Sequence, residues 1–140
     1  VLRGFDGYQP CTRGIAIALL RASRRLAEIA EPSARDWAAA FRGAVESISE
    51  LGGAHAGDRT MLDALVPAVA AFERALDGDR DPASAWLVAV EAAEHGAQET
   101  ARMTPRAGRA SYLGERAIGT PDGGAVAVSY WMRALQPHIG

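Results

Sequence analysis

Alanine is the commonest residue in this 140-residue chain, and no β-branched run breaks its dominance. Alanine has the highest helix propensity and lets helix backbones approach closely, whereas strands draw on Val, Ile, Thr and aromatic residues. An all-helical chain is therefore expected. The best-patterned stretch shows the period directly. Trp37, Ala40, Phe41, Ala44, Val45 and Ile48 fall at i, i+3, i+4, i+7, i+8 and i+11, a single stripe of a 3.6-residue repeat. Arg35, Asp36, Arg42, Glu46 and Glu50 lie off it. Ser33, with Asp36 three residues on, forms an acidic variant of the capping box. Gly52-Gly53 ends the helix with a residue that tolerates positive φ.

Four further helices follow from the same reasoning. One runs from 13 to about 30. A second covers about 60–76, lined by Leu62, Leu65, Val66, Val69 and Phe72 and kinked at Pro67. A third covers about 82–103, with Trp86, Ala89, Val90, Ala93 and Ala97 on one face, and the last covers 125–135. Residues 1–12, which contain Gly4, Gly7 and Pro10, read as irregular, and the acidic turn from Asp77 to Pro82 reads as solvated.

A mass of 14.7 kDa predicts one domain. A chain of this size can bury about 68–70% of its unfolded surface and needs no staple. The single cysteine, Cys11, excludes an intramolecular disulfide framework and fits a reducing compartment. A net charge of −2 with 23% charged residues argues against nucleic-acid or membrane-surface partners. The longest apolar run, 64–72, falls short of the about 20 residues a membrane helix needs and contains Pro67. No basic-then-apolar segment opens the sequence, so a cytoplasmic protein is expected. All fifteen basic residues are Arg, a bias of GC-rich coding that carries no functional message.

Two segments stand apart by combining glycine with polar groups. The first is Gly52-Gly53-Ala54-His55-Ala56-Gly57-Asp58-Arg59-Thr60-Met61, running from one helix end to the next helix start, where free N–H groups favour an anion. Spacing alone favours a tight interhelical turn with Asp58 as N-cap. It is not a Walker loop, because the lysine is missing. The second lies within 104–124, too long for an ordinary connection. Its Tyr112, Leu113 and Ile118 give it the means to pack, and Arg106, Arg109 and Arg116 among glycines suit phosphate or carboxylate. A solvated loop with Arg109 or Arg116 paired to Glu115 or Asp122 is the other reading. His95 is expected on a polar helix face and His138 near a fraying end. His55 has no partner at metal spacing, Cys11 has no base near it in sequence, and Ser111 lacks a nucleophile-elbow context.

The same two segments carry a family resemblance. Gly57-Asp58-Arg59-Thr60-Met61-Leu62-Asp63 with Val66-Pro67, then Gly108-Arg109-Ala110-Ser111-Tyr112-Leu113-Gly114-Glu115-Arg116 and Asp122-Gly123-Gly124-Ala125, resemble the nucleotide-binding (DhaL-type) subunit or C-terminal domain of dihydroxyacetone kinases. The likeness extends over about 18–135. It implies a barrel or bundle of antiparallel amphipathic helices with Gly-rich loops capping a nucleotide site at one end. It implies nucleotide contacts at Gly52, Met61, Arg109, Asp122, Gly123 and Gly124, with Met61 on the base and Asp58 and Thr60 shaping the pocket. It further implies ADP or ATP as cofactor, and phosphoryl transfer to dihydroxyacetone or a related short-chain keto sugar. The sugar would be held by a DhaK-type partner through a histidine, so no catalytic residue is assigned to this chain. The phosphoryl donor is either ATP or a phosphohistidine protein of the phosphotransferase system.

The chain departs from the family pattern in three places, one being the Gly-Gly-x-Ser-Gly turn, for which Cys11-Thr12-Arg13-Gly14 is a poor stand-in. Asp-Pro-Gly is usual where Asp122-Gly123-Gly124 stands. The family also opens with a GDGDxG-type segment whose aspartates hold two Mg²⁺ ions, as hard cations on phosphates require. Here Gly4-Phe5-Asp6-Gly7 offers one carboxylate, and no metal ligand is assigned. The expectation is an incomplete domain, its metal segment omitted or truncated. The remaining alternative is a non-catalytic, nucleotide-sensing or partner-binding relative.

Overall fold

The structure, a computed structural model, describes residues 9–107 and 109–139, and among them every regular element is helical. The chain divides into two units, Val1–Gly53 and Ala54–Gly140.

The first unit contains helices α1 (Gln9–Ala27) and α2 (Ala34–Gly52), which pack on each other. Residues 9–12, expected to be irregular, are helical. Pro10 sits in the first turn, where a residue without an N–H breaks no helical hydrogen bond. The helix also stops at Ala27, short of 30; residues 1–8 lie outside the described residues, as does the side chain of Cys11. The capping box of α2 forms as read. The Asp36 N–H donates to Ser33 Oγ at 3.3 Å, and the Ser33 N–H donates to the Asp36 carboxylate at 2.9 Å. Gly53 closes the helix at φ +62°, its N–H donating to the Ser49 carbonyl at 2.8 Å.

The stripe of α2 is rotated from its expected place. Ala38, Ala40, Val45 and Ser47 are buried, Phe41, Ala44 and Ile48 are half-buried, and Trp37 is 56% exposed. The sequence period marks an apolar face, but the small residues at 38, 40 and 47 are what let a neighbouring helix approach. Ser47 satisfies its hydroxyl by donating to the Gly43 carbonyl and accepting from Arg21 at 2.8 Å.

The second unit is built on α3 (Leu62–Asp77), α4 (Pro82–Glu99) and α5 (Gly123–Leu135), with short 3₁₀ helices at Thr100–Arg102, Arg109–Ala117 and Gln136–His138. Leu62, Leu65, Val69 and Phe72 are buried as read; Val66 is exposed, and Ala64, Ala68, Ala71 and Ala75 supply the second buried row. All five residues of the α4 stripe are buried. Trp86 joins the three helices: its ring meets Phe72 edge-on at 5.5 Å, and its indole N–H donates to the Met132 carbonyl at 3.0 Å. Asp81 caps α4 by accepting from the Ser84 N–H at 3.0 Å, with Pro82 at the first helical position.

Pro67 leaves the Asp63 carbonyl without its helical donor, and Gly96 of α4 packs directly on that point. A methyl at Gly96 would overlap the Asp63 carbonyl oxygen and meet Pro67 Cγ at 3.1 Å. The small residue in α4 and the proline in α3 thus form one contact.

Glu94 and Arg133 tie α4 to α5 through two parallel hydrogen bonds, Nε–Oε1 at 2.5 Å and Nη2–Oε2 at 2.7 Å. The guanidinium holds the Glu94 carboxyl below its ordinary range, and Arg133 is raised in return. Asp81 and Asp36 are likewise lowered by their capping bonds to Ser84 and Ser33. Groups with depressed folded pKa values stabilise the fold above the ordinary carboxylate range and lose that contribution as pH falls through the folded values. The denaturant midpoint is therefore expected to hold from neutrality down to about pH 5 and to fall below about pH 4. Glu94→Gln should make that fall shallower; an unchanged acid limb in urea titrations from pH 7 to 2 would show that the pair contributes nothing.

Candidate functional site

The two glycine-rich segments meet within the second unit, and a buried arginine joins them. Arg59 takes φ +62°, rare for a residue with a side chain, and is 4% exposed. Its Nε donates to the Thr100 carbonyl at 3.1 Å. Its Nη2 donates to the carbonyls of Ala117 at 2.7 Å and Thr120 at 2.6 Å. The first segment, the end of α4 and the end of the second segment are thereby fixed to one guanidinium.

Further bonds run beside it. The Thr100 hydroxyl donates to the Ala97 carbonyl and accepts the Asp122 N–H at 2.7 Å. The Gly119 N–H donates to the Ala101 carbonyl at 2.7 Å, and the Arg106 N–H to the Asp58 carbonyl at 3.1 Å.

The start of α3 is organised by Asp63, not by Asp58. The buried Asp63 carboxylate accepts the Gly57 N–H at 2.5 Å and the Thr60 N–H at 2.8 Å. Asp58 reaches backwards and accepts the His55 N–H at 2.8 Å, so the expectation of Asp58 as helix N-cap is corrected. The reason is spacing: the loop turns sharply at Gly57 and Arg59, both at positive φ, and this places the Asp58 side chain over the preceding turn. Since Asp63 takes two of the loop's N–H groups, an anion at this helix start could not use them.

Met61, Asp122 and Gly124 come together. Asp122 caps α5 by accepting the Ala125 N–H at 3.0 Å. A methyl at Gly124 would meet Asp122 Oδ2 at 3.0 Å and the backbone N and Cβ of Met61 at 3.6 Å. Glycine permits this close approach. Thr60 lies one residue before Met61, its Oγ1 accepting the Leu62 N–H at 3.2 Å. Gly123 is exposed, Met61 and Gly124 half-buried. Gly52 is the last residue of α2, in the other unit. Arg109 opens the 3₁₀ helix Arg109–Ala117, and its side chain lies outside the described residues.

The second segment does not pack as expected. Tyr112 is 92% exposed, and Leu113 and Ile118 are exposed, while Ala117 at the end of this 3₁₀ helix is buried. Main-chain hydrogen bonds to Arg59, Ala101 and Thr100 hold the end of the loop, not apolar burial. His55, His95, His138 and Ser111 are exposed. Among the described residues no group of three or more His, Cys, Asp or Glu could hold a metal ion. The residues described therefore do not by themselves fit a Mg²⁺ site, and no step is derived through one. No helix among them is long and apolar enough to cross a membrane.

Residues 15–137 match the sequence pattern of the family described as the DAK2 domain. This chain is a DAK2 domain.

The relatives of this DAK2 domain agree. It is 41% identical over 128 residues to a putative 3,4-dihydroxy-2-butanone kinase of Solanum lycopersicum, covering 88% of this chain and 22% of that protein. It is 40% identical over 95 residues to the ADP-binding subunit DhaL of the PEP-dependent dihydroxyacetone kinase of Escherichia coli, covering 68% of this chain and 45% of the subunit. The crystal structure of the C. freundii dihydroxyacetone kinase superposes with a TM-score of 0.61 at 25% identity, over 88% of this chain and 19% of that one. The DAK2 domain here thus spans about a fifth of these two kinases and under half of the DhaL subunit. The all-helical class and the kinase family expected from the sequence both hold.

Arg59 and Asp63 belong to the motif that carries the family resemblance, but spacing alone assigns them no role. An arginine inside a glycine-rich turn, followed four residues later by an aspartate in an otherwise apolar helix start, was the available signal.

Proposed function

We propose that this DAK2 domain holds ADP or ATP for phosphoryl transfer to dihydroxyacetone or a related short-chain keto sugar, together with a DhaK-type sugar-binding subunit or domain. The observation that carries the reading is the meeting of Met61 with Asp122 and Gly124, in a chain 40% identical over 95 residues to a subunit whose name declares it ADP-binding. A thioether is soft and polarizable and suits the face of a purine, and glycine backbone lets a ligand come close. In this reading Met61 packs on the base, Asp58 and Thr60 shape the pocket, Asp122, Gly123 and Gly124 contribute backbone, and Arg109 binds phosphate oxygens. Mg²⁺ would be held by carboxylates not identified among the residues described. The protein would act in the cytoplasm, with ATP or a phosphohistidine phosphotransferase-system protein as donor.

Calorimetric titration with ADP, in Mg²⁺ and again in EDTA, tests this. Micromolar or tighter binding in Mg²⁺ is expected. Arg109→Ala should weaken it about ten- to a hundred-fold, the loss of a charge-assisted phosphate contact. No binding in either condition would overturn the reading for these 140 residues; binding indifferent to metal would favour a sensing module over a kinase.

A further inference from the structure

We propose that Arg59 is the positioning residue of this site: its guanidinium clamps the end of the 104–124 loop and thereby sets where Arg109 and Asp122–Gly124 stand relative to Met61. The proposal rests on the nucleotide reading for its consequence in binding, though not for the clamp itself.

Three observations converge on it. The acceptors of Arg59 are backbone carbonyls from places far apart in sequence: Thr100 at the end of α4, and Ala117 and Thr120 at the end of the loop. Carbonyls fix main chain, whatever side chains the loop carries. The residue also sits at φ +62°, a conformation that costs energy and persists only where surrounding contacts over-determine it; here it accompanies an inward-turned side chain. Finally, Tyr112, Leu113 and Ile118 of the loop are exposed, so these large apolar side chains do not anchor it. The two other bonds that anchor its end, Gly119 N–H to Ala101 and Asp122 N–H to Thr100 Oγ1, lie on either side of the Thr120 carbonyl held by Arg59.

The planar fork matters as much as the charge. One guanidinium donates in several fixed directions, whereas an ammonium is a single point. Arg59→Lys would keep the cation and lose the simultaneous grip on Thr100, Ala117 and Thr120. Removing the side chain leaves carbonyls that can turn to water only if the loop lifts away, so release of the loop is the expected response, not unfolding of α3–α5.

The test is amide hydrogen exchange by NMR on the full chain, read at Gly119 and Asp122 and, as reference, at interior helix positions such as Val90, alongside ADP titration. Arg59→Met should speed exchange at Gly119 and Asp122 at least ten-fold with Val90 unchanged, and weaken ADP binding at least ten-fold. Arg59→Lys should fall between; it also carries the test alone if the methionine variant does not fold. Unchanged exchange at Gly119 and Asp122, or an equal rise at Val90, would overturn the clamp. Loop release with ADP affinity unchanged would overturn the positioning role. Loop release with no ADP binding by the unaltered chain would support the clamp and overturn the nucleotide reading instead.

Discussion

Gly96→Ala is expected to destabilise the protein by about 3 kcal/mol or more, the upper end of what forcing a methyl into a packed site costs. In a unit of this size that lowers the thermal midpoint by roughly 10–20 °C. The added carbon would overlap the Asp63 carbonyl oxygen and lie 3.1 Å from both the Asp63 carbonyl carbon and Pro67 Cγ. Two of these atoms are backbone and the third belongs to a ring, so none can swing aside as a flexible side chain would. Relief would require α3 and α4 to separate, and the alanines buried between them leave no slack: Ala64, Ala68, Ala89 and Ala93 are all fully buried. Gly43→Ala is the control. Gly43 also lies inside a helix, but nothing stands within 4 Å of the place its Cβ would occupy. There the substitution should stabilise by about 0.5–1 kcal/mol through helix propensity. Thermal melts of the two variants should move in opposite directions; equal shifts would show that the Gly96 contact relaxes freely.

Asp63→Ala carries the second large effect, about 3 kcal/mol, because it removes a carboxylate that accepts two backbone N–H groups. Hydrogen bonds to charged acceptors contribute about 1.5–3 kcal/mol each. The Gly57 and Thr60 amides lose their acceptor together, so the turn that presents Asp58, Arg59 and Thr60 loses its inner support. Asp63→Asn keeps one acceptor but sets an amide donor against the other N–H, and should retain less than half of the difference. Urea denaturation gives the stability and ADP titration the consequence for the site. A cost for Asp63→Ala below about 1 kcal/mol would show that the turn holds itself.

These two residues also show how far the sequence could be read. The helix period placed the buried faces of α3 and α4, because an amphipathic stripe records burial directly in residue type. Helix ends are legible where residue type itself makes the cap, through side chains at Ser33 and Asp36 and through the positive φ that Gly53 tolerates. Period alone could not say which flank of the α2 stripe meets α1: Trp37 is the most apolar residue on paper and stands exposed, while Ser47 is buried. That choice depends on which row of small residues the neighbouring helix can approach.

The site divides the same way. The GRASYLGER segment and the Asp122-Gly123-Gly124 turn identify the family, since a long motif in fixed order is a property of sequence. The length of 104–124 rightly marked it as no ordinary connection, but its apolar residues misled about how it is held. Its anchors are main-chain carbonyls and amides, which every sequence possesses and which therefore leave no trace in residue type.

What the sequence determined by itself is the helical class, the caps of α2, the buried faces of α3 and α4 and the family, all encoded in residue chemistry at local spacing. Only the tertiary structure decided that Asp63 and not Asp58 organises the start of α3, that Gly96 lies against the carbonyl Pro67 leaves unpaired, and that Arg59 gathers Thr100, Ala117 and Thr120. Each of those joins a side chain or a missing one to backbone, nearby in the loop for Asp63 and distant in the chain for Gly96 and Arg59, and backbone groups carry no residue identity from which such a pairing could be read.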